Sequence, residues 1–328
     1  MVTKNSNLSL YLRIISYSVL AFTLAFLINN VLTVWSDWPG IKKIFSHHEM
    51  FGFKKKALEG SDLNYGYMQI GLYLICIAAV VFYVFKTYSQ TLEQDSKILS
   101  RFSAYLVRSS FWAVFLVGVA DFVISFMVVE RLWEAIFSPE VKALMVKAPV
   151  RITYIHFPII LISFVIGYFT KSVGFIWLAV LVVVSEFVIV LSRFIFSYEQ
   201  AFQGDLVRFW YAALYLFASA YALIHEGHVR VDVLYSSFSE KKKAWTNMVG
   251  SVLGIPLTLI VIFLGLDGKA SIINGPVVAF EVTQQGSNGL YLLYLMAVYL
   301  AVFAVTMLIQ FTSYFMESSH KILKGVKN

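Results

Sequence analysis

Long apolar stretches alternate with short polar ones along the whole chain. Five stretches contain no Asp, Glu, Lys or Arg: residues 14–36, 63–85, 152–170, 244–266 and 282–316. Three more carry one or two charges each: 109–130 with Asp121 and Glu130, 172–192 with Glu186, and 205–225 with Asp205 and Arg208. Because about 20 apolar helical residues cross a hydrocarbon core of about 30 Å, each stretch is a candidate membrane span. The pattern predicts an all-α polytopic membrane protein with about eight transmembrane helices and short interfacial helices.

The composition agrees with this class. Of 328 residues, 59% are hydrophobic and 14% are charged, which excludes an ordinary soluble domain. The first span is too long, and lacks a small-residue cleavage site, for a removable signal peptide, so we expect a retained helix. Cys76 is the single cysteine, which excludes an intrachain disulfide and a zinc site of several thiolates. We expect no cofactor.

The basic residues predict the orientation of the last four spans. Lys241, Lys242 and Lys243 follow the span at 205–225, and more lysines lie in the C-terminal tail, whereas the loop 267–288 holds few charges. By the positive-inside rule, residues 226–243 and the C-terminus are cytoplasmic and 267–288 is outside. The net charge of +7 therefore reflects helix orientation, and we expect no nucleic-acid partner.

Two topologies remain open for the first 170 residues. Five lysines lie in a loop that eight spans would place outside, namely Lys42, Lys43, Lys54, Lys55 and Lys56. If 152–170 were an interfacial or buried segment, seven spans would place that loop inside and the N-terminus outside. Hydropathy favours eight spans and charge favours seven. We adopt eight, because 19 uncharged residues are costly to leave unspanned.

A break near residue 170 divides the chain into two predicted regions. Residues 1–170 form an N-terminal transmembrane extension of three to four spans. Residues 171–328 form a four-helix membrane unit, whose spans begin and end on the cytoplasmic side.

The segment 192–234 carries the most specific pattern of charges. Arg193 ends one span, Asp205 and Arg208 stand three residues apart before the next, and Trp210 follows. This is either an interfacial helix entering the span or an ordinary polar connection with a local ion pair. At the exit of the span stand His228, Arg230 and Asp232. These three residues either anchor the span at the cytoplasmic surface or contact a partner. They do not predict a metal site, because one His and one carboxylate are too few ligands.

These residues resemble the small membrane subunit, the Q or DctQ-type component, of tripartite ATP-independent periplasmic (TRAP) transporters. The resemblance covers roughly residues 173–316. It rests on Ser192-Arg193, an eleven-residue elbow, Asp205-Leu-Val-Arg208, and the run from Glu226 to Leu234. Where the family usually has a Trp and two adjacent acids, this chain has Phe202, Gly204 and Asp205, so one acid is lost. The extension 1–170 lies outside the usual pattern and indicates an enlarged variant.

The resemblance implies two protein partners in a bacterial inner membrane. A large membrane (M) subunit carries substrate and sodium, and a periplasmic binding protein (P subunit) delivers the substrate, usually an organic acid. The small subunit lengthens the scaffold against which the transport domain moves. Contacts to the large subunit or to lipid are expected at the elbow and at the cytoplasmic exit: Arg193, Asp205, Arg208, Trp210, His228, Arg230 and Asp232.

Two acids inside predicted spans are further candidates. Asp121 and Glu186 are costly in lipid unless they are paired or face protein. His156, Arg131 and Arg193 are the candidate partners, and a polar clamp between helices is the simplest role. The alternative is an ion site in a self-sufficient secondary transporter or channel, although such folds usually have two related halves. Gly250 and Gly254 form a Gly-x-x-x-Gly pattern suited to close helix packing.

Enzymatic interpretations have little support in the sequence. Haem ligation within a bundle needs histidines on facing helices, and only His156 lies well inside a span. The chain has no nucleophile elbow, phosphate-cradling glycine loop or His-Glu-x-x-His run. A third interpretation, an accessory subunit of a redox or assembly complex, predicts copurification with a cofactor-bearing partner.

Overall fold

The computed structural model describes residues 7–171, 175–195, 197–198, 200, 202–224, 232–283 and 289–325. Within these ranges the chain is helical and has no β-strand. We number the long helices α1 (Asn7–Trp35), α2 (Ser61–Lys86), α3 (Leu92–Val129), α4 (Ala148–Phe169), α5 (Phe175–Ile195), α6 (Gln203–Ile224), α7 (Glu240–Gly265) and α8 (Leu293–Leu323). The shorter helices cover Ile41–His47, Met50–Gly52, Trp133–Ile136, Pro139–Met145, Asp232–Tyr235 and Asn274–Val278.

Every predicted span coincides with a long helix. Among the described residues, seven of these helices are long and apolar enough to cross a membrane; α6 is not one of the seven. At 22 residues α6 is nevertheless about 33 Å long, sufficient for a hydrocarbon core of about 30 Å. The polytopic helical class is confirmed, and α6 stays the predicted eighth span.

Two boundaries differ from the apolar pattern. The helix α3 begins at Leu92, well before the predicted span 109–130, because its first four turns carry polar side chains that are buried within the chain. The helix α8 begins only at Leu293, although the charge-free run begins at 282. The described residues 282–283 and 289–292 of that run are not helical, so the absence of charge alone overestimated the length of the span.

The chain forms two compact units. Unit 1 comprises Met1–Ser100, Arg230–Asn274 and Phe311–Asn328, and unit 2 comprises Arg101–Val229 and Gly275–Gln310. Each unit therefore combines residues from both sides of the predicted boundary at 170.

Aromatic side chains hold α1, α2 and α7 together in unit 1. Phe22 of α1 meets Tyr73 of α2 edge to face, with ring centroids 5.0 Å apart. Phe26 meets Phe263 of α7 at 4.6 Å. Such pairs add about 0.5–1.5 kcal/mol beyond the area they bury.

The core of unit 2 is apolar and lies between α3, α4, α6 and α8. Its fully buried members include Val117, Phe209, Phe217 and Tyr299. The helices α3 and α4 approach closely at Gly167, where a Cβ would lie 2.9 Å from the Cα of Ser109. Only a glycine permits that approach, which is typical of helix pairs in membranes.

Candidate functional site

A buried polar cluster surrounds Asp121 in unit 2. Asp121 lies on α3 with a fully buried side chain, and Arg151 of α4 is only 1% exposed. The Arg151 Nε lies 2.6 Å from Asp121 Oδ1, and Nη2 donates to the Asp121 carbonyl and to Ser125 Oγ. The backbone N–H of Tyr291 donates to the second carboxylate oxygen at 2.7 Å. Asp121 is thus paired, as a charge in this environment must be.

His156 extends the cluster toward α8. Its Nε2 lies 3.0 Å from Asp121 Oδ1, and its Nδ1 lies 3.1 Å from the hydroxyl of Tyr294. With Nε2 as the donor to the carboxylate, Nδ1 accepts the hydrogen bond of Tyr294. The histidine therefore links the predicted extension to a helix of the C-terminal region.

A widened helical turn brings Arg151 and His156 to the same carboxylate. Residues Ile152–His156 are π-helical, and this segment ends two residues before Pro158. Proline lacks the N–H for the usual bond to the carbonyl four residues earlier, and its ring crowds that carbonyl. A π-turn is one way in which a helix accommodates such a break, and it often occurs at functional positions.

The Asp121 cluster acts as a polar clamp between helices. Both oxygens of Asp121 receive donors, and a guanidinium already supplies the positive charge. The Arg151 guanidinium also lies 4.4 Å from the centre of the Tyr291 ring, a cation–π contact. A sodium ion would have to displace these donors, so the geometry does not favour an ion site.

Unit 1 contains a second buried ion pair. Arg13 of α1 and Asp95 of α3 are both fully buried, with Nε and Oδ2 2.5 Å apart. The guanidinium also donates to the carbonyl and to the hydroxyl of Thr87, which follows α2. Three helices are therefore tied at one end of the unit.

The elbow residues have different environments. Arg208 is 65% exposed and lies 3.4 Å from Asp205, which is only 3% exposed. The indole of Trp210 is buried against α3 and donates from Nε1 to the carbonyl of Val114 at 3.3 Å. Arg193 is exposed. Arg193 and Arg208 thus face outward, whereas Trp210 contacts the extension of its own chain.

The second predicted intramembrane acid differs from the first. Glu186 is exposed on the surface of α5, and its role as an intramembrane polar residue stays a prediction. The neighbouring residue Ser185 faces the interior instead. Arg131 and Arg193 are not partners of Asp121; of the predicted partners only His156 is confirmed.

The predicted cytoplasmic exit is outside the described residues. This applies to His228 and Arg230, and to the side chain of Asp232, whose backbone begins the short helix Asp232–Tyr235. Their roles as contacts stay predictions.

Two loops lie at the same end of unit 1. Lys42 Nζ is 2.6 Å from Asp267 Oδ1, and Lys269 pairs with Asp37, whose pKa this hydrogen bond and charge lower. Asn30 donates to the carbonyl of Leu266 at 2.6 Å. Arg13 lies about 26 Å away along α1, at the other end of the unit. The lysine-rich loop after α1 is therefore on the same side as the loop after α7.

Sequence reasoning missed three of the four charges in the buried pairs. Arg13 directly precedes the run 14–36, and Arg151 directly precedes the run 152–170. Delimiting spans by the absence of charge places both arginines just outside the predicted spans. Their position one residue before a charge-free run is the signal that could have identified them.

Metal ligation finds no support in the described part of the chain. There, no three His, Cys, Asp or Glu side chains lie close enough together to hold a metal ion.

The C-terminal part of the chain is similar to a known protein family. Residues 179–318 match the family model of the DctQ component of tripartite ATP-independent periplasmic transporters. No curated protein and no solved structure matches. The matched region contains α6, α7 and most of α5 and α8, and leaves α1 to α4 outside. Residues 179–318, less than half of the chain, are therefore similar to the DctQ component of tripartite ATP-independent periplasmic transporters.

Proposed function

We propose that this chain is an enlarged small membrane subunit that extends the scaffold of a TRAP transporter. Its partners are a large membrane subunit, a periplasmic binding protein and the surrounding lipids. The complex takes up an organic acid with sodium, and this chain binds neither. The single observation that carries the proposal is the DctQ match over residues 179–318.

The buried clusters support a static role. A scaffold requires helices that do not shift against one another, and buried ion pairs define one arrangement of the helices around them. The Asp121 cluster joins α3 and α4 of the extension to Tyr291 and Tyr294, which belong to the DctQ region. The extension thereby enlarges the scaffold as an integral part of it.

The contacts within unit 1 favour the eight-span topology. Seven spans would require the loop after α1 to be cytoplasmic while the loop after α7 is periplasmic. The 2.6 Å ion pair between Lys42 and Asp267 is incompatible with that separation. We therefore propose cytoplasmic N- and C-termini in the bacterial inner membrane, with both loops periplasmic.

A self-sufficient transporter remains the alternative and has less support. Its ion sites would be Asp121 and Glu186, but Asp121 is already neutralised by Arg151. Glu186 is exposed on another helix and has no hydrogen bond or ion pair with any described residue. The two acids therefore do not form a common site.

Isolation of the complex tests the proposed function. The tagged full-length chain is purified from native membranes in mild detergent, and its partners are identified by mass spectrometry. We expect a large multi-span subunit in stoichiometric amount. Recovery without such a subunit would overturn the proposal, and recovery with a cofactor-bearing redox protein would favour an accessory subunit.

The predicted contacts require a separate test. Arg208→Ala and Arg230→Ala are compared with Lys324→Ala, a change in the C-terminal tail, because Arg208 is 65% exposed whereas Asp205 is buried within its own chain. We expect the first two to weaken complex assembly and uptake. Unchanged assembly and uptake in both would contradict their assignment as contacts.

A further inference from the structure

Glu186 lies near the middle of a membrane span. It is about 16 Å along α5 from Phe175 and about 14 Å from Ile195, at about 1.5 Å per residue. Since a hydrocarbon core is about 30 Å thick, a carboxyl at this position is close to its centre.

The exposed side of α5 around this acid is continuous. Val183, Phe187 and Val190 are 66%, 57% and 47% exposed, and Arg193 is exposed two turns beyond Glu186. These five residues follow helical spacing along one side, and we call them the Glu186 face. The opposite side, with Leu178 and Ser185, is buried in unit 2.

Contact between the Glu186 face and lipid is unfavourable. Within the part of the chain that the structure describes, Glu186 has no hydrogen bond and no ion pair. Ionisable side chains at the bilayer centre are costly, and in membrane proteins they nearly always face protein or a water-filled cavity. The apolar residues around Glu186 offer no water path, so protein is the remaining environment for the carboxyl.

We propose that the Glu186 face docks a transmembrane helix of the large membrane subunit. That helix carries a side chain at mid-depth that donates hydrogen bonds to Glu186. The inference rests on the proposed function, because it identifies the part of this chain that meets the large subunit. Val183, Phe187 and Val190 supply the van der Waals contact on which helix association in lipid depends.

Substitution of the acid tests this docking surface. Glu186→Leu removes the acceptor, whereas Val183→Leu changes only the shape of the same face and serves as the control. We expect Glu186→Leu to lower the recovery of the large subunit with the tagged chain about tenfold or more, and Val183→Leu less than about twofold. Glu186→Gln distinguishes the donors: near-normal recovery indicates a neutral donor, and recovery as low as with Leu indicates a cation.

A photo-crosslinking residue at Phe187 tests the contact with Glu186 intact. We expect light-dependent crosslinking to the large subunit in native membranes. Normal recovery with Glu186→Leu, together with crosslinking to lipid only, would overturn the Glu186 face while leaving the proposed function intact. A wild-type chain that recovers no large subunit would overturn both.

Discussion

Asp121 and Glu186 are both acids within membrane helices, where an ionisable side chain is costly, but their carboxyl groups have opposite environments. Asp121 is enclosed by its own chain, where Arg151, His156 and the Tyr291 N–H occupy its oxygens. Glu186 faces away from its own chain, on an apolar surface. The first acid specifies the fold of this subunit. The second makes the subunit incomplete alone, because its carboxyl requires a donor from elsewhere.

The difference between the two acids predicts different effects on the isolated subunit. Asp121→Leu leaves Arg151 buried without a counter-charge, and breaking one side of a buried pair costs about 3–5 kcal/mol. We expect a large loss of thermal stability in detergent, whereas Glu186→Leu should change it by less than about 0.5 kcal/mol, as surface substitutions usually do. Thermal unfolding of both purified variants measures this.

A double variant serves as the control for Asp121. Asp121→Leu with Arg151→Leu removes both charges, so it should recover part of the stability that the single change loses. Equal stability of Asp121→Leu and wild type would break the contrast between the two acids.

Asp95 extends the comparison to unit 1. It is buried like Asp121, but Arg13 is the one cation paired with it among the described residues. Arg13→Leu should destabilise the isolated subunit by about 3 kcal/mol, since it leaves a buried carboxyl without its counter-charge. Thermal unfolding measures the loss, and Lys42→Leu, at an exposed ion pair, is the control, with an expected change below about 1 kcal/mol.

Close packing allows a similar contrast between two glycines on α7. A Cβ on Gly254 would lie 2.7 Å from the ring of Phe311, whereas a Cβ on Gly250 would meet nothing within 4 Å. Gly254→Ala should therefore cost about 1–3 kcal/mol through overpacking. Gly250→Ala should be neutral or stabilising by up to about 1 kcal/mol, because alanine favours the helix. Equal effects on thermal unfolding would contradict the close contact.

Asp37 is a solvent-exposed acid that can be compared with the buried Asp121 and Asp95. Its pairing with Lys269 lowers its pKa in the folded state, so its contribution to stability is present above the ordinary Asp pKa of about 3.9. That contribution is lost as the pH falls through the lowered folded-state pKa. Lys269→Gln should therefore be slightly less stable than wild type at pH 6, with the difference shrinking as the pH falls below the ordinary Asp pKa. A difference that is unchanged by pH would contradict the pairing.

The sequence predicted the helices well because membrane spans impose a simple rule. Apolar stretches of about 20 residues must be helical in lipid, so hydropathy located each long helix. The DctQ resemblance over roughly 173–316 was confirmed by the family match over 179–318. Both results depend on local patterns, which a single sequence contains.

The buried ion pairs could not be predicted from the sequence, because they depend on contacts between residues far apart in the chain. Arg13 and Asp95 are 82 residues apart, and no local pattern connects them. The same holds for Asp121 and Tyr291, and for the burial of Trp210 against α3. Which side of a helix faces its own chain is decided by packing, so Asp121 and Glu186 could not be told apart beforehand.

Transport by purified proteins tests the central claim most directly. The tagged chain is reconstituted into liposomes alone, and also with the large subunit and the binding protein, under an inward sodium gradient. We predict uptake of an organic acid only with all three components, because this chain contributes scaffold and no substrate site. Sodium-driven uptake by this chain alone would contradict the account and establish a self-sufficient transporter.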